Sequence, residues 1–474
     1  MDIKDMEFFN YVNNLRGVEL SGLFSTEWFE LHKNIVLINV YLHSNSDIID
    51  SIEDKRMNAL VMRFETLLRE LITTYFIRFL NSNEKSKSNK ESLSFEEKEE
   101  LQNEKSNVKY THDDVSTHSH ISSYISLYHE LTILNIFEFI LFSDYIYEKI
   151  DSCMINFFAY IYSNLVSFLK TNSEEYFVKP INELSISEIL KEENDKTCNI
   201  DKLKIYMNVI NNLRNITDRI HLLNNTVVNK IVDYDILLIL VPLLEKRPWR
   251  HENYVFEKNE WVKTEDNTLA ATEKQLWLIL YTLILNRTCQ EKYEMTNYRR
   301  NNILKLRKYM NESLHEQLPP MKTLHTFIEH LYISKSVFPE NKNSYLIIDV
   351  VPEIFDEIKS DMLKNKKKII SLLNNITIEK DVLRNISDMY LSIYEVDQQI
   401  NTKNNRNSKE NDEQEKKTEC NEGEEAIFDD LYLCNICKEN AELQCSQCKR
   451  IYYCSKECQM KDWFNHREVC SSAE

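Results

Sequence analysis

The stretch CNICKENAELQCSQCKRIYYCSKECQMKDWFNHREVC, residues 434–470, decides how the C-terminal end of the chain folds. Its potential ligands are spaced Cys434-x2-Cys437-x7-Cys445-x2-Cys448-x5-Cys454-x3-Cys458-x7-His466-x3-Cys470. Cys-x2-Cys lets two thiolates turn onto one ion, and Cys454/Cys458 and His466/Cys470 stand at i,i+4, on one face of a helix. Eight sulfur-rich ligands make two closed tetrahedral sites. Zinc fits that donor set, and with no position left for water the metals are structural. Spacing alone leaves open which ligands share an ion. Of the eleven cysteines, seven fall in this stretch; regular pairing of this kind reads as metal binding rather than a disulfide framework.

Upstream, composition excludes more than it includes. The chain of 474 residues holds three glycines, Gly17, Gly22 and Gly423, where average usage predicts roughly 33. A dinucleotide-binding turn and a Walker loop need glycine where backbone approaches phosphate, so most nucleotide-binding enzymes are excluded. Few glycines and seven prolines also leave too few turns for a many-stranded sheet. The reading is mostly α: a solenoid-like (armadillo-like) or irregular helical domain at 1–396, an acidic linker at 397–428, and the finger at 429–474. The polar stretch 81–118 reads as a disordered insert. No 18-residue clean apolar run exists; Met154–Leu169 and Leu131–Tyr147 read as buried helices. The N-terminus lacks a secretory pattern, so a soluble, cytoplasmic protein is expected. With 76 acidic against 58 basic residues and a net charge of −18, partners should be proteins, not nucleic acid or anionic membrane.

Within the helical part, Ala271–Asn286 is the clearest element, a buried helix with Thr272 and Gln275 forming a capping-box pattern. Asn301–Leu318 reads as a helix ending before Pro319-Pro320. Another begins at Ile354 behind Pro352. Tyr254-Val255-Phe256 and Trp261-Val262 read as a hairpin.

Residues 434–470 resemble the MYND zinc-finger family, including Tyr452-Tyr453 before Cys454 and the run from Glu457 to Trp463. That resemblance implies a cross-brace, with Cys434, Cys437, Cys454 and Cys458 on one zinc and Cys445, Cys448, His466 and Cys470 on the other. It also implies a groove for proline-containing peptides at Ser446, Gln459 and Trp463. A peptide added to a small sheet edge beside an aromatic pocket is physically sensible; the alternative for Trp463 is a core residue clamping the finger helix.

The helical part is similar to MYND-bearing factors that assemble axonemal dynein arms. The likeness lies in Leu243-Leu244-Glu245, Pro248-Trp249, Gln275-x-Trp277, Leu304–Arg307, Gln317-Leu318-Pro319 and Val351–Ile354, and more faintly in Trp28-x3-His32, His129-Glu130 and Ile216–Asp218. It implies a cytoplasmic co-chaperone or adaptor, at a centriolar satellite or the basal-body region. The implied partners are a leucine-rich-repeat assembly factor, a heat-shock chaperone with an immunophilin co-chaperone, and dynein chains as clients. The helical motif residues themselves read as core rather than contact.

The rival reading is a transcriptional corepressor adaptor, which the finger alone would suit but for which no compact Lys/Arg import cluster is visible. A SET-type methyltransferase lacks its glycine-rich loops here, and a RING ligase places its ligands differently. His112, Asp113, Asp114, His118 and His120 read as a solvated loop. His129-Glu130 lacks a second zincin histidine, and Cys153, Cys198 and Cys289 read as packed. No enzyme is expected.

Overall fold

The computed structural model describes residues 3–44, 55–88, 112–178, 186–264, 268–333 and 351–374, isolated positions between 384 and 391, and residues 436–437, 443–445, 451–467 and 470. The chain divides into two compact units, Met1–Gln398 and Gln399–Glu474. The linker 397–428 lies outside the described residues.

The first unit is helical, as composition required. Its helices are α1 (Ile3–Asn13), α2 (Thr26–Ser44), α3 (Lys55–Val61), α4 (Phe64–Ser88), α5 (His112–Leu141), α6 (Tyr147–Lys170), α7 (Ile186–Asp218), α8 (Asn225–Asp233), α9 (Leu237–Lys246), α10 (Ala271–Leu285), α11 (Arg287–Lys292), α12 (Asn297–Leu304), α13 (Glu312–Gln317), α14 (Met321–Ile333), α15 (Glu353–Lys364) and α16 (Lys366–Asn374). The longest pair, α5 and α7, pack along each other, with α2 and α4 against α5 and α10 against α7. A strict solenoid keeps each repeat against its neighbours. Here α15 returns to pack on α4 and α6, and α16 on α4 and α5, so the irregular bundle is the better of the two descriptions. One continuous core runs from Phe8 to Leu373, and Trp28, Trp249 and Trp277 are among its largest fully buried side chains. The stretch Asp144–Lys170, which contains α6, is long and apolar enough to span a bilayer, but two-thirds of its most apolar part is buried inside the unit.

Two polar clusters sit inside this core. Arg78 donates from Nε and Nη2 to both oxygens of Glu130 at 2.8 Å and from Nη2 to Asn164 Oδ1 at 2.6 Å, while Tyr160 donates to Glu130 at 2.7 Å. The four residues join α4, α5 and α6. Filling the lone pairs of a buried carboxylate is what makes such a pair tolerable. In the second cluster the Nδ1 atoms of His32 and His129 lie 2.9 Å apart, His32 Nε2 meets the Tyr390 hydroxyl at 2.8 Å, and Glu70 accepts from Val18 N–H at 3.2 Å.

Four local readings need correction. Leu131–Tyr147 is not one helix, since α5 ends at Leu141, a 3₁₀ turn spans Asp144–Ile146 and α6 begins at Tyr147. Helix α10 is capped by Glu273, whose side chain accepts from Ala270 N–H at 3.1 Å, not by Thr272 and Gln275; Thr272 turns instead to Met207 Sδ. The stretch 301–318 is not one helix. It breaks after Leu304 into a 3₁₀ turn, Lys305–Tyr309, and restarts as α13 with Asn311 as its N-cap. Asn311 Oδ1 accepts from Leu314 N–H at 2.9 Å, a local bond that competes with helix continuation. The polar stretch 81–118 is entered and left in helix, since α4 runs to Ser88 and α5 begins at His112. His112, Asp113, Asp114, His118 and His120 therefore sit on helical backbone rather than in a loop. Residues 89–111 lie outside those described.

The hairpin forms with Val255 opposite Val262 and Phe256 opposite Trp261. Its strands are β2 (Tyr254–Glu257) and β3 (Glu260–Lys263), with β1 (Arg250–His251) added on β2. Lys258 and Asn259 turn it at φ 49° and 67°, the positive pair of a type I′ turn made without glycine.

Candidate metal centre

The second unit contains a short antiparallel pair, β4 (Leu443–Gln444) and β5 (Tyr452–Tyr453), followed by α17 (Lys456–His466). Ser455 is the N-cap of α17, its hydroxyl accepting from Cys458 N–H at 3.3 Å. That cap fixes the first turn, so Cys454 and Cys458 present their thiols to the same point. Cys445 N–H donates to Ile451 O at 2.9 Å, extending the pairing of the two strands by one residue on each side.

Two donor clusters result. Cys437 Sγ lies 3.3 Å from Cys454 Sγ, which lies 3.6 Å from Cys458 Sγ. Cys445 Sγ lies 3.9 Å from Cys470 Sγ and 3.3 Å from His466 Nε2. Among the described residues these are the groups in which at least three Cys, His or acidic donors converge. The separations are too long for a disulfide, which needs ~2.05 Å. They approach the ~3.8 Å between sulfurs on a tetrahedral ion with ~2.3 Å bonds. The donor sets fit zinc. Each cluster interleaves with the other along the sequence, because Cys445 falls between Cys437 and Cys454. Cys434, Cys448 and Ser446 lie outside the described residues.

Trp463 is 42% exposed. It touches His466 edge-on, with ring centroids 6.0 Å apart, but it is not the core clamp of the finger. That place belongs to Tyr453, fully buried, whose hydroxyl donates to buried Asp462 Oδ2 at 2.8 Å. Tyr453 and Asp462 stand in the sequence only as motif residues, with no sign of their pairing, and Ser455 was not singled out; the pattern Ser455-x2-Cys458 at a helix start was the available signal. Gln459 is half-buried one turn before Trp463, and Met460, exposed, extends the apolar surface beside it.

The remaining candidates are structural. His129 and Glu130 are fully buried in the two core clusters described above. Cys153 and Cys289 are buried; burial pushes the Cys153 thiol up and the Cys289 thiol to about 11, so neither is a nucleophile near neutral pH. Cys198 is half-buried.

Residues 434–470 match the MYND finger family. Over 362 residues, 73% of this chain, the sequence is 25% identical to the zinc finger MYND domain-containing protein 10 homolog of Drosophila melanogaster, of which the match covers 77%. Other likenesses are short. Tudor domain-containing protein 1 of Danio rerio is 50% identical over 38 residues, 8% of this chain and 3% of that protein. Programmed cell death protein 2 of Mus musculus is 41% identical over 44 residues, 9% of this chain and 13% of that protein. No solved structure matches. A relative aligned over most of the chain and a C-terminal MYND finger together bear out the resemblance read from the motifs.

Proposed function

We propose that this protein is a cytoplasmic adaptor, or co-chaperone, for the preassembly of axonemal dynein arms. Its finger holds two structural zinc ions, with Cys434 completing the Cys437/Cys454/Cys458 site and Cys448 completing the Cys445/His466/Cys470 site. The likeness to the MYND domain-containing protein 10 homolog over 73% of the chain carries this reading, because the short finger likenesses belong to proteins of other names and do not choose among roles. The helical unit is the scaffold, and the finger is the contact.

Exposure of Trp463 supports peptide capture. An aromatic of that size left 42% exposed on a metal-stiffened unit is an anchor of the kind that dominates interface energies. A proline-containing segment from a leucine-rich-repeat assembly factor would lie along the short sheet beside Gln459 and Trp463. The heat-shock chaperone and its immunophilin partner would then act on dynein chains as clients.

The test is co-purification of the leucine-rich-repeat factor from cells building axonemes. Trp463→Ala should lower its affinity by about 2 kcal/mol or more, roughly thirtyfold, with zinc content unchanged. Unchanged co-purification would refute the groove. If the protein instead resided in nuclei and retained repressor complexes, the corepressor reading would replace this one.

A further inference from the structure

A cavity of about 180 Å³ opens on the helical unit beside α10, bounded by Arg247 behind α9, by Arg250 on β1 and by the turn that carries Lys308 and Tyr309. Three cations line it against one carboxylate, Glu273. In a chain of net charge −18 such a balance runs against the overall composition.

Glu273 does not use up these cations. It is fully buried and already holds Arg250 through Nε and Nη2, at 3.0 and 2.9 Å, the Ala270 N–H at 3.1 Å, and Arg247 Nε at 3.2 Å. Among the described residues, both Nη groups of Arg247 and Nη1 of Arg250 have no hydrogen-bond partner. The Arg247 guanidinium stands 5.4 Å from the Tyr309 ring, which limits its movement. Glu245 anchors Lys308 at 2.5 Å. Asn311 also lines the cavity, and with its oxygen committed to the α13 cap its amide nitrogen is left as a further donor.

Guanidinium N–H groups, an ammonium and an amide donor around one concavity form a donor set for an oxyanion. We infer that this pocket binds a carboxylate of an acidic peptide segment presented by a partner protein. Its size suits one side-chain carboxylate with its methylenes against Trp277 and Tyr309; clefts that enclose whole cofactors run roughly 300–1,000 Å³. The site belongs to the helical unit and stands independently of the finger and of the dynein-arm reading.

The test uses the full chain and a fluorescently labelled hexaglutamate peptide, read by anisotropy. Arg247 occupies a left-handed C-cap, φ 47° and ψ 63°, where glycine is the less strained residue. Arg247→Gly therefore removes the cation while easing the backbone. Lys308→Ala is the second variant, since Lys305 still meets Glu245 at 3.6 Å. Arg250 is left alone because its loss would strand a buried carboxylate. Saturable binding should weaken at least tenfold in each variant and with rising salt, the thermal midpoint of Arg247→Gly should be unchanged or raised, and Trp463→Ala should bind like the wild type. Absence of saturation, or equal affinity in the wild type and either folded variant, overturns the inference. Displacement of the peptide by equimolar inorganic phosphate also overturns it and reassigns the pocket to phosphate.

Discussion

The Tyr453 hydroxyl donates to Asp462 Oδ2 at 2.8 Å with both residues buried, so the second strand of the finger is tied to the middle of its helix by one hydrogen bond. Between those two residues in sequence lie Cys454 and Cys458. The bond thus holds the helix so that the Cys458 thiol meets that of Cys454, which precedes the helix and faces Cys437. Tyr453→Phe removes the donor and leaves the shape, and should destabilise the finger by about 1–3 kcal/mol. Competition with a zinc chelator reads this directly: the variant should release metal at a lower chelator concentration. Identical release profiles would show that the strand and helix are held by the metals alone.

Metal removal should be more drastic than any side-chain change. Structural zinc supplies on the order of 10–16 kcal/mol in finger peptides, more than a core built around Tyr453 can provide. Purified full-length protein should carry two zinc ions by mass spectrometry of the metal. Chelation should abolish the finger's helix signal and leave the first unit's thermal transition in place. A single ion per chain would reject the two-site arrangement.

The His32, His129 and Glu70 cluster makes a prediction about pH. Burial holds His32 down to about 3, and burial followed by the neighbouring His32 holds His129 well below its ordinary 6.5. Both gain protons on unfolding, so their share of stability is lost as pH falls below about 6.5. Glu70 has the opposite sign. Burial lifts it from 4.5 to about 7, against the opposing Val18 N–H, so its favourable contribution is present below 4.5 and lost as pH rises through about 7. Glu70→Gln, which cannot ionise, should be more stable than the wild type at pH 8, by on the order of 3 kcal/mol, with that gain vanishing near pH 4. Urea unfolding at the two pH values checks it; parallel profiles for variant and wild type would mean that folding does not raise the Glu70 carboxyl.

How much of this was legible in the sequence differs by feature. That Cys437, Cys454 and Cys458 converge, and Cys445, His466 and Cys470 likewise, was legible because metal geometry imposes a spacing that survives in one dimension. The helical class followed from the near absence of glycine and from apolar periodicity, and the hairpin from two short β-branched and aromatic runs, Tyr254-Val255-Phe256 and Trp261-Val262, separated by Glu257–Glu260. The return of α15 and α16 onto α4 was not legible, since a contact between residues almost three hundred positions apart leaves no local pattern. The restart at Asn311 was hidden because Asn is tolerated inside a helix and competes only when its side chain reaches Leu314 N–H. The cationic cavity was invisible for the same reason as the returning helices: Arg247, Glu273 and Lys308 meet only in three dimensions. Trp463 could be read either as core or as surface until Tyr453 was seen to hold the core position.

Electron microscopy of axonemes tests the dynein-arm account most directly. In cells lacking this protein, microtubule doublets should assemble without outer arms, and inner arms should be depleted, while dynein transcripts stay level and unassembled chains are degraded in the cytoplasm. Re-expressed wild-type protein should restore the arms and Trp463→Ala should not. Normal arms in its absence, or dynein transcripts falling before their proteins, would contradict the account.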